Sequence, residues 1–392
     1  MFRRTTAALH RLDHAIGRLR PRRSVLIELR TPVYFAVLGP IAAALATRPD
    51  IDVWFTSEYP DRIRPMVPEG RFLTHAEVEW RRFDLYLNGD PWAAARVRRC
   101  AHRVNFFHGV AGKYDLDKPV GFPMGFDTYD YVAFINRDRM QRYLDAKIVT
   151  PRQAILVGYP KLDRLAQGGW DAAAVRASLG LESDRPAVLY APTYSAASSL
   201  HLAGEEIIRA LESVGFSVLV KLHDRSLDPD PRYNGGIDWR ARLNALEREY
   251  PGRVRFIEGP DVSPILATAD LLVTDHSSVG FEYLVLDRPL LIFDAPELPR
   301  AARINPQKIA LLRSAATVVH TPRELATTAI AELMAPERLS VRRRHVADEM
   351  FHQPGGATER AMSLIDELLK SRGSIARIRQ TAGSPSLTGG LP

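Results

Sequence analysis

Cysteine is nearly absent from this 392-residue chain, and the single one, Cys100, excludes an intrachain disulfide and a cysteine-based zinc site. A reducing, cytoplasmic setting is therefore expected. Long apolar runs are missing too. The longest candidate, Val33 to Ala46, contains Pro40 and falls short of the roughly 18 residues that spanning a bilayer requires. The chain is expected not to cross a membrane, which leaves a soluble position or a peripheral one on the inner face of the cell membrane. What remains is ordinary globular composition, 46% hydrophobic and 25% charged. That excludes intrinsic disorder, collagen and small disulfide scaffolds, and the length favours two domains.

The charge is uneven. The formal net charge of +7 points at first to a nucleic-acid partner. Residues 1–23, however, hold Arg3, Arg4, Arg11, Arg18, Arg20, Arg22 and Arg23 against Asp13, a net +6, and residues 371–392 add Arg372, Arg377 and Arg379, a net +3. The body from 24 to 370 is left at −2, so a nucleic-acid role is not expected. In residues 1–23, Leu9, Leu12, Ala15, Ile16 and Leu19 recur at helical spacing among arginines and histidines. This basic amphipathic pattern fits a helix lying on an anionic membrane surface, and fits equally a helix docked on its own protein. It does not read as a signal peptide, because arginines recur before an apolar core is completed.

From Ser24 onward short β-rich runs alternate with helical patterns. The runs are Val25 to Leu29, Ile51 to Thr56, Phe83 to Leu87, Val104 to Phe107, Tyr131 to Ile135 and Ile155 to Val157. A second series, Ala187 to Tyr190, Ser217 to Leu222, Val254 to Ile257, Leu271 to Thr274, Leu290 to Phe293 and Thr317 to Val319, follows the polar stretch 167–186. Helical patterns near 33–47, 201–214, 238–249, 278–287, 321–334 and 357–371 complete the alternation. The pattern predicts parallel strands with crossover helices in two α/β domains, 24–166 and 167–370, then a disordered Gly/Ser/Pro tail over 371–392. In such sheets ligands bind beyond the carboxyl ends of the strands, so chemistry is sought at strand exits.

Five exits carry candidate residues. The run Val104 to Phe107 ends at His108, with Gly109 and, further on, Lys113; a histidine with a near-neutral pKa suits general-base work, or simply caps a strand. A Walker A loop is excluded there, since Phe107 and Tyr114 occupy positions that need glycine and Ser or Thr. Gly158-Tyr159-Pro160-Lys161 marks a turn. Ala191-Pro192-Thr193-Tyr194-Ser195 offers hydroxyls and free amides to a phosphate, or turn and capping groups. Lys221-Leu222-His223 closes the next strand, where alternation puts Lys221 and His223 on one side about 7 Å apart, as suits a diphosphate. Asp275-His276-Ser277-Ser278 leaves the run Leu271 to Thr274 and opens a helical stretch, where hydroxyls, an imidazole and free N–H groups would meet an anion; Glu282 follows and can accept from sugar hydroxyls. No G-x-S-x-G elbow occurs, adjacent Asp-His-Ser cannot form a triad, and neither H-E-x-x-H nor a paired metal-ligand cluster is present. Asp228-Pro229-Asp230 lies in a proline-rich loop. No metal and no cofactor is expected.

Taken in order, His108-Gly109 with its downstream lysine, Gly158-Tyr159-Pro160-Lys161, Tyr190-Ala191-Pro192-Thr193, Lys221-Leu222-His223 and Thr274-Asp275-His276-Ser277-Ser278 through Phe281-Glu282-Tyr283 resemble the CDP-glycerol glycerophosphotransferase family of teichoic-acid synthesis. The resemblance implies a GT-B fold of two Rossmann-like domains, an acceptor domain at 24–166 and a donor-binding domain at 167–370. It implies His108 as the base, with Gly109 and Lys113 on the acceptor side. It also implies a donor diphosphate held by Lys221, His223, Asp275, His276, Ser277 and Ser278, with Thr193 and Glu282 as the other residues of the donor site. The expected reaction moves glycerol phosphate, or another polyol phosphate, from a CDP-polyol to a hydroxyl of a lipid-linked or saccharide acceptor and releases CMP. The chain departs from the family's usual sequence at Val110-Ala111-Gly112-Lys113, after His-Gly, and at His276, where tyrosine is usual. Two alternatives stand beside this reading: a GT-B glycosyltransferase or epimerase using a UDP-sugar, and a non-catalytic binding protein.

Overall fold

Among the described residues, twelve short strands rich in Val, Ile, Leu and Phe form two six-stranded sheets, and every neighbouring pair within them is parallel. The computed structural model describes residues 21–90, 97–107, 109–110, 125–182, 184–228 and 230–370. Most of the basic N-terminal segment, His108, Lys113 and the tail 371–392 lie outside the described residues. The first sheet comprises β1 (Arg23–Glu28), β2 (Ile51–Thr56), β3 (Arg82–Asn88), β4 (Arg99–Phe106), β5 (Tyr131–Phe134) and β6 (Ala154–Leu156), in the order β2-β1-β3-β4-β5-β6. The second comprises β7 (Ala187–Tyr190), β8 (Ser217–Lys221), β9 (Val254–Ile257), β10 (Leu271–Thr274), β11 (Leu290–Phe293) and β12 (Thr317–Val319), in the order β12-β11-β10-β7-β8-β9. Two Rossmann-like lobes result, as the alternation predicts.

The helices needed below are α1 (Pro32–Ala46), α2 (Arg137–Asp145), α3 (Ala172–Ser178), α4 (Ser199–Ser213), α5 (Trp239–Glu249), α6 (Ser278–Tyr283), α7 (Pro306–Ser314), α8 (Pro322–Met334), α9 (Ser340–Met350) and α10 (Ala357–Lys370). Both sheets are buried on both faces, which explains their continuous apolar runs. In β1, Val25 and Ile27 face a core shared with Leu38 and Ile41 of α1, while Leu26 faces the other way. In the second lobe Val188, Val218 and Val273 pack with Ile207 of α4 and Leu243 of α5. Leu189, Leu219 and Leu272 point instead into a larger cluster that also holds Phe134, Tyr159 and Leu162 of the first lobe. One core thus runs through both lobes. Among the described residues no helix is long and apolar enough to cross a membrane.

The last helix returns to the first lobe. In α10, Ala361, Leu364, Ile365 and Leu368 repeat at helical spacing and enter the core of β1 and α1; burying one Leu or Ile contributes about 1.5–3 kcal/mol. Its start is capped from a distant segment, for the Asp163 carboxylate accepts hydrogen bonds from the N–H groups of Gly355 (3.1 Å), Ala357 (3.0 Å) and Thr358 (2.5 Å). Around this cap, Arg360 Nε donates to Val157 O at 2.7 Å, and the Tyr159 ring stacks on Phe351 with centroids 6.0 Å apart. Gly158 sits at φ +92°, where a Cβ would lie 2.5 Å from His352 O, so only glycine passes there. The Gly158-Tyr159-Pro160-Lys161 turn and Asp163 are therefore a clasp for the end of the chain. Asp163→Ala is expected to cost about 2 kcal/mol, the upper range for a helix cap, and to speed amide exchange over 357–370. Unchanged exchange in that helix would count against the clasp.

Candidate active site

Register places the exits of the second sheet side by side. Tyr190 of β7 pairs with Val220 of β8 and with Val273 of β10, so Lys221, Ala191 and Thr274 emerge in one row. Thr274 Oγ1 donates to Ala191 O at 2.7 Å and fixes two of the three exits together. Just beyond, Asp275 is fully buried. Its Oδ1 accepts from Thr193 N (2.9 Å) and His276 N (2.6 Å), and its Oδ2 from Ser199 N (3.2 Å) and Ser199 Oγ (3.1 Å). An ionised carboxylate is acceptor-only, and these four bonds commit it to shaping the loops around the site. Ser277 caps α6 through Val279 N, and His276 and Glu282 are buried beside it.

Two groups in this row have unmet capacity. The Thr193 hydroxyl is buried with no hydrogen-bond partner among the described residues. Lys221 is 9% exposed, and among the described residues its ammonium donates only to Leu222 O at 3.0 Å, although it carries three donors. Desolvation holds the Lys221 pKa below the usual lysine range, and Lys161 depresses it further, against the opposing pull of Asp224, Asp261 and Glu258. Among the described residues no carboxylate comes within ion-pair distance of it. A buried ammonium without a counter-ion is costly unless a ligand supplies one.

His223 differs from the expectation that it shares a side with Lys221. Strand β8 ends at Lys221, and His223 instead caps a short turn, accepting at Nδ1 from Arg225 N (3.1 Å). Its exposed ring lies against Tyr194, with centroids 4.5 Å apart, and Arg225 donates to the Tyr194 hydroxyl at 3.2 Å. These three form an aromatic and cationic rim beside the Lys221 row. Gly109 is described, and a Cβ built on it meets nothing within 4 Å among the described residues. Phe107, immediately before His108, is anchored by Phe126, Phe134 and Tyr143 at centroid distances of 5.3–5.9 Å and by the Arg139 guanidinium 3.8 Å above its ring.

Sequence reasoning read Lys161 only as part of a turn and passed over several polar residues of the first lobe. Lys161 Nζ reaches across from the first lobe to Glu282 Oε2 at 2.7 Å, and both side chains are buried. In the first lobe, Glu28, Asn88 and Asn105 are paired across neighbouring strand ends. Tyr86 donates to Glu28 and Tyr34 to Asp90, while Asn88 Nδ2 donates to the Tyr129 hydroxyl at 2.7 Å. Burial pushes the Tyr129 phenol up to about 12. The signal for this network was present as polar letters at the ends of β1, β3 and β4, the strand that leads to His108. A separate cavity of about 520 Å³ lies at the opposite ends of the second sheet. Its Arg176 is paired with Asp270 and its Arg288 with the carbonyls of Ala267 and Ala269.

Two parallel Rossmann-like lobes sharing one core, with the buried Lys221 at a strand exit of the second, define the GT-B class. Residues 122–367 match the model of the CDP-Glycerol:Poly(glycerophosphate) glycerophosphotransferase family, and the chain belongs to that family. It is 26% identical over 179 residues to a teichoic acid poly(glycerol phosphate) polymerase of Staphylococcus epidermidis, covering 42% of this chain and 22% of that protein. It is 23% identical over 176 residues to a teichoic acid glycerol-phosphate primase of Bacillus subtilis, covering 44% and 41% respectively. The chain thus spans less than half the length of these curated relatives. The solved structure of the wall teichoic acid polymerase TagF superposes with a TM-score of 0.66 at 17% identity, over 94% of this chain and 96% of that one, and so shares the fold.

Proposed function

We propose that the chain transfers a polyol phosphate, glycerol phosphate foremost, from a CDP-polyol to a hydroxyl of a lipid-linked or saccharide acceptor, releasing CMP. The observation that carries this reading is the buried Lys221 ammonium, which has no counter-ion among the described residues and stands in one row of strand exits with the loop of Thr193. A diphosphate would supply the missing negative charge and accept from both groups. In the reaction the acceptor oxygen bonds to the distal phosphorus, the bridging P–O bond to CMP breaks, and His108 takes the hydroxyl proton. Phosphoryl transfer depends mainly on positioning and charge neutralisation. Lys221 neutralises the diphosphate, Thr193 orients it, and Asp275 holds Thr193 in place through its backbone N–H.

The test is a donor screen. CDP-glycerol, CDP-ribitol and UDP-hexoses are offered with a hydroxyl acceptor, and nucleotide release is followed for the parent protein and for His108→Ala. CMP release by the parent, lost in the variant while CDP still binds, is the expected result. Release of UDP, or epimerisation of a UDP-sugar without CMP release from any CDP-polyol, would replace this reading with the sugar-nucleotide one.

A further inference from the structure

The turn that clasps the last helix also sends a cation to Glu282, one of the candidate donor residues. Lys161 leaves the first lobe just after β6, its side chain is 8% exposed, and its one hydrogen-bond partner among the described residues is Glu282. An ammonium has three donors, so two remain. Lys221 has two more beyond its bond to Leu222 O, and the two lysines are close enough for each charge to bear on the other. Two buried ammonium groups have one ion-paired carboxylate among the described residues, with Asp224, Asp261 and Glu258 acting on Lys221 from beyond ion-pair distance, and several N–H donors are left at the junction where α6 meets the first lobe. Burial without such compensation is unfavourable, and a doubly charged group with many acceptor oxygens would restore it.

We propose that Lys161 is a ligand of the donor's distal phosphate, contributed by the first lobe, with Glu282 as the carboxylate that holds it in position. This rests on the donor reading above and adds a residue to it. Lys161 keeps its bond to Glu282 and turns its other two N–H groups to the phosphate oxygens, while Lys221 serves the same diphosphate from the second lobe. The nucleoside and first phosphate are then held by the second lobe alone, and only the second phosphate touches both.

Calorimetric titration with CDP and with CMP tests this on the parent protein, Lys161→Met, Lys161→Arg and the double variant Lys161→Met/Glu282→Leu. Lys161→Met is expected to weaken CDP about 10- to 100-fold and CMP little, with partial recovery in Lys161→Arg. Because Lys161→Met strands the buried Glu282, the double variant is the decisive one. Removing both charges restores packing, so a purely structural pair predicts restored CDP affinity, whereas a phosphate ligand predicts affinity that stays low in a stable protein. Restored CDP binding in the double variant, or equal loss of CDP and CMP in the single one, overturns the proposal while the donor reading stands. No CDP binding by the parent overturns both.

Discussion

Lys221→Met is expected to weaken CDP binding about 100-fold, close to 3 kcal/mol, while leaving the unliganded protein at least as stable as its parent. In the unliganded state the ammonium is buried with a single carbonyl partner among the described residues, and desolvation lowers its pKa. A group whose folded-state pKa is depressed binds fewer protons folded than unfolded between the two values, so stability rises with pH through that window. Below the window the folded protein carries the charge at a cost, which methionine of similar length removes. Such exchanges of stability for function are common at sites built to meet a ligand's charge. CDP, bringing negative charge, should pull the pKa of Lys221 back up, so binding at alkaline pH takes up protons. Titrations in buffers of different ionisation enthalpy measure that uptake, with Lys161, Asp224, Asp261 and Glu258 as the other charges around the group. Equal CDP affinity in the variant, or a sharp fall in its melting temperature, would remove Lys221 from the role assigned to it.

Asp275→Ala is expected to destabilise the protein by on the order of 4 kcal/mol and to abolish CDP binding with it. The substitution leaves the N–H groups of Thr193, His276 and Ser199 and the Ser199 hydroxyl without their acceptor, in a place water does not reach. Each unsatisfied buried donor costs about 1–3 kcal/mol, partly relieved as the loop relaxes. Asp275→Asn keeps one acceptor oxygen but turns an NH₂ toward donors, so an intermediate loss is expected. Urea denaturation with intact CDP titration separates the outcomes. A midpoint close to the parent's in the alanine variant would show that this carboxylate does not hold the loops.

What was legible in the chain is what depends on neighbours in sequence. Leu271 to Thr274 is an apolar and β-branched run, and Val254 to Ile257 is one interrupted only by Arg255; both are strands with those bounds. Strand β4, expected from Val104, begins at Arg99. Arg99, His102 and Arg103 hid it, since pairing with β3 and the Asp130 carboxylate, which accepts from Arg103 N at 2.8 Å, makes them tolerable in a strand. Helix α3 sits inside the stretch 167–186 read as polar, because its Ala-rich sequence has little apolar pattern and its start depends on the Asp171 cap. The site shows the same division. Thr193, Lys221 and the Asp-His-Ser-Ser turn stand at strand exits, where a sheet puts them whatever lies around. Lys161 and Asp163 act on partners more than a hundred residues away, and no local spacing announces a bond of that kind.

The return of α10 to the first lobe sets an order of events during synthesis. Leu38 and Ile41 of α1 wait for Leu364, Ile365 and Leu368, which leave the ribosome more than three hundred residues later. The nascent first lobe therefore emerges with an unfinished apolar face, and it cannot mature as an independent unit before the second lobe has been made. A chain stopped before Ala357 would lose the cover that α10 gives the first sheet although it retained every residue of the proposed donor site. Nonsense truncation near the end would thus act on the half of the molecule that was translated first.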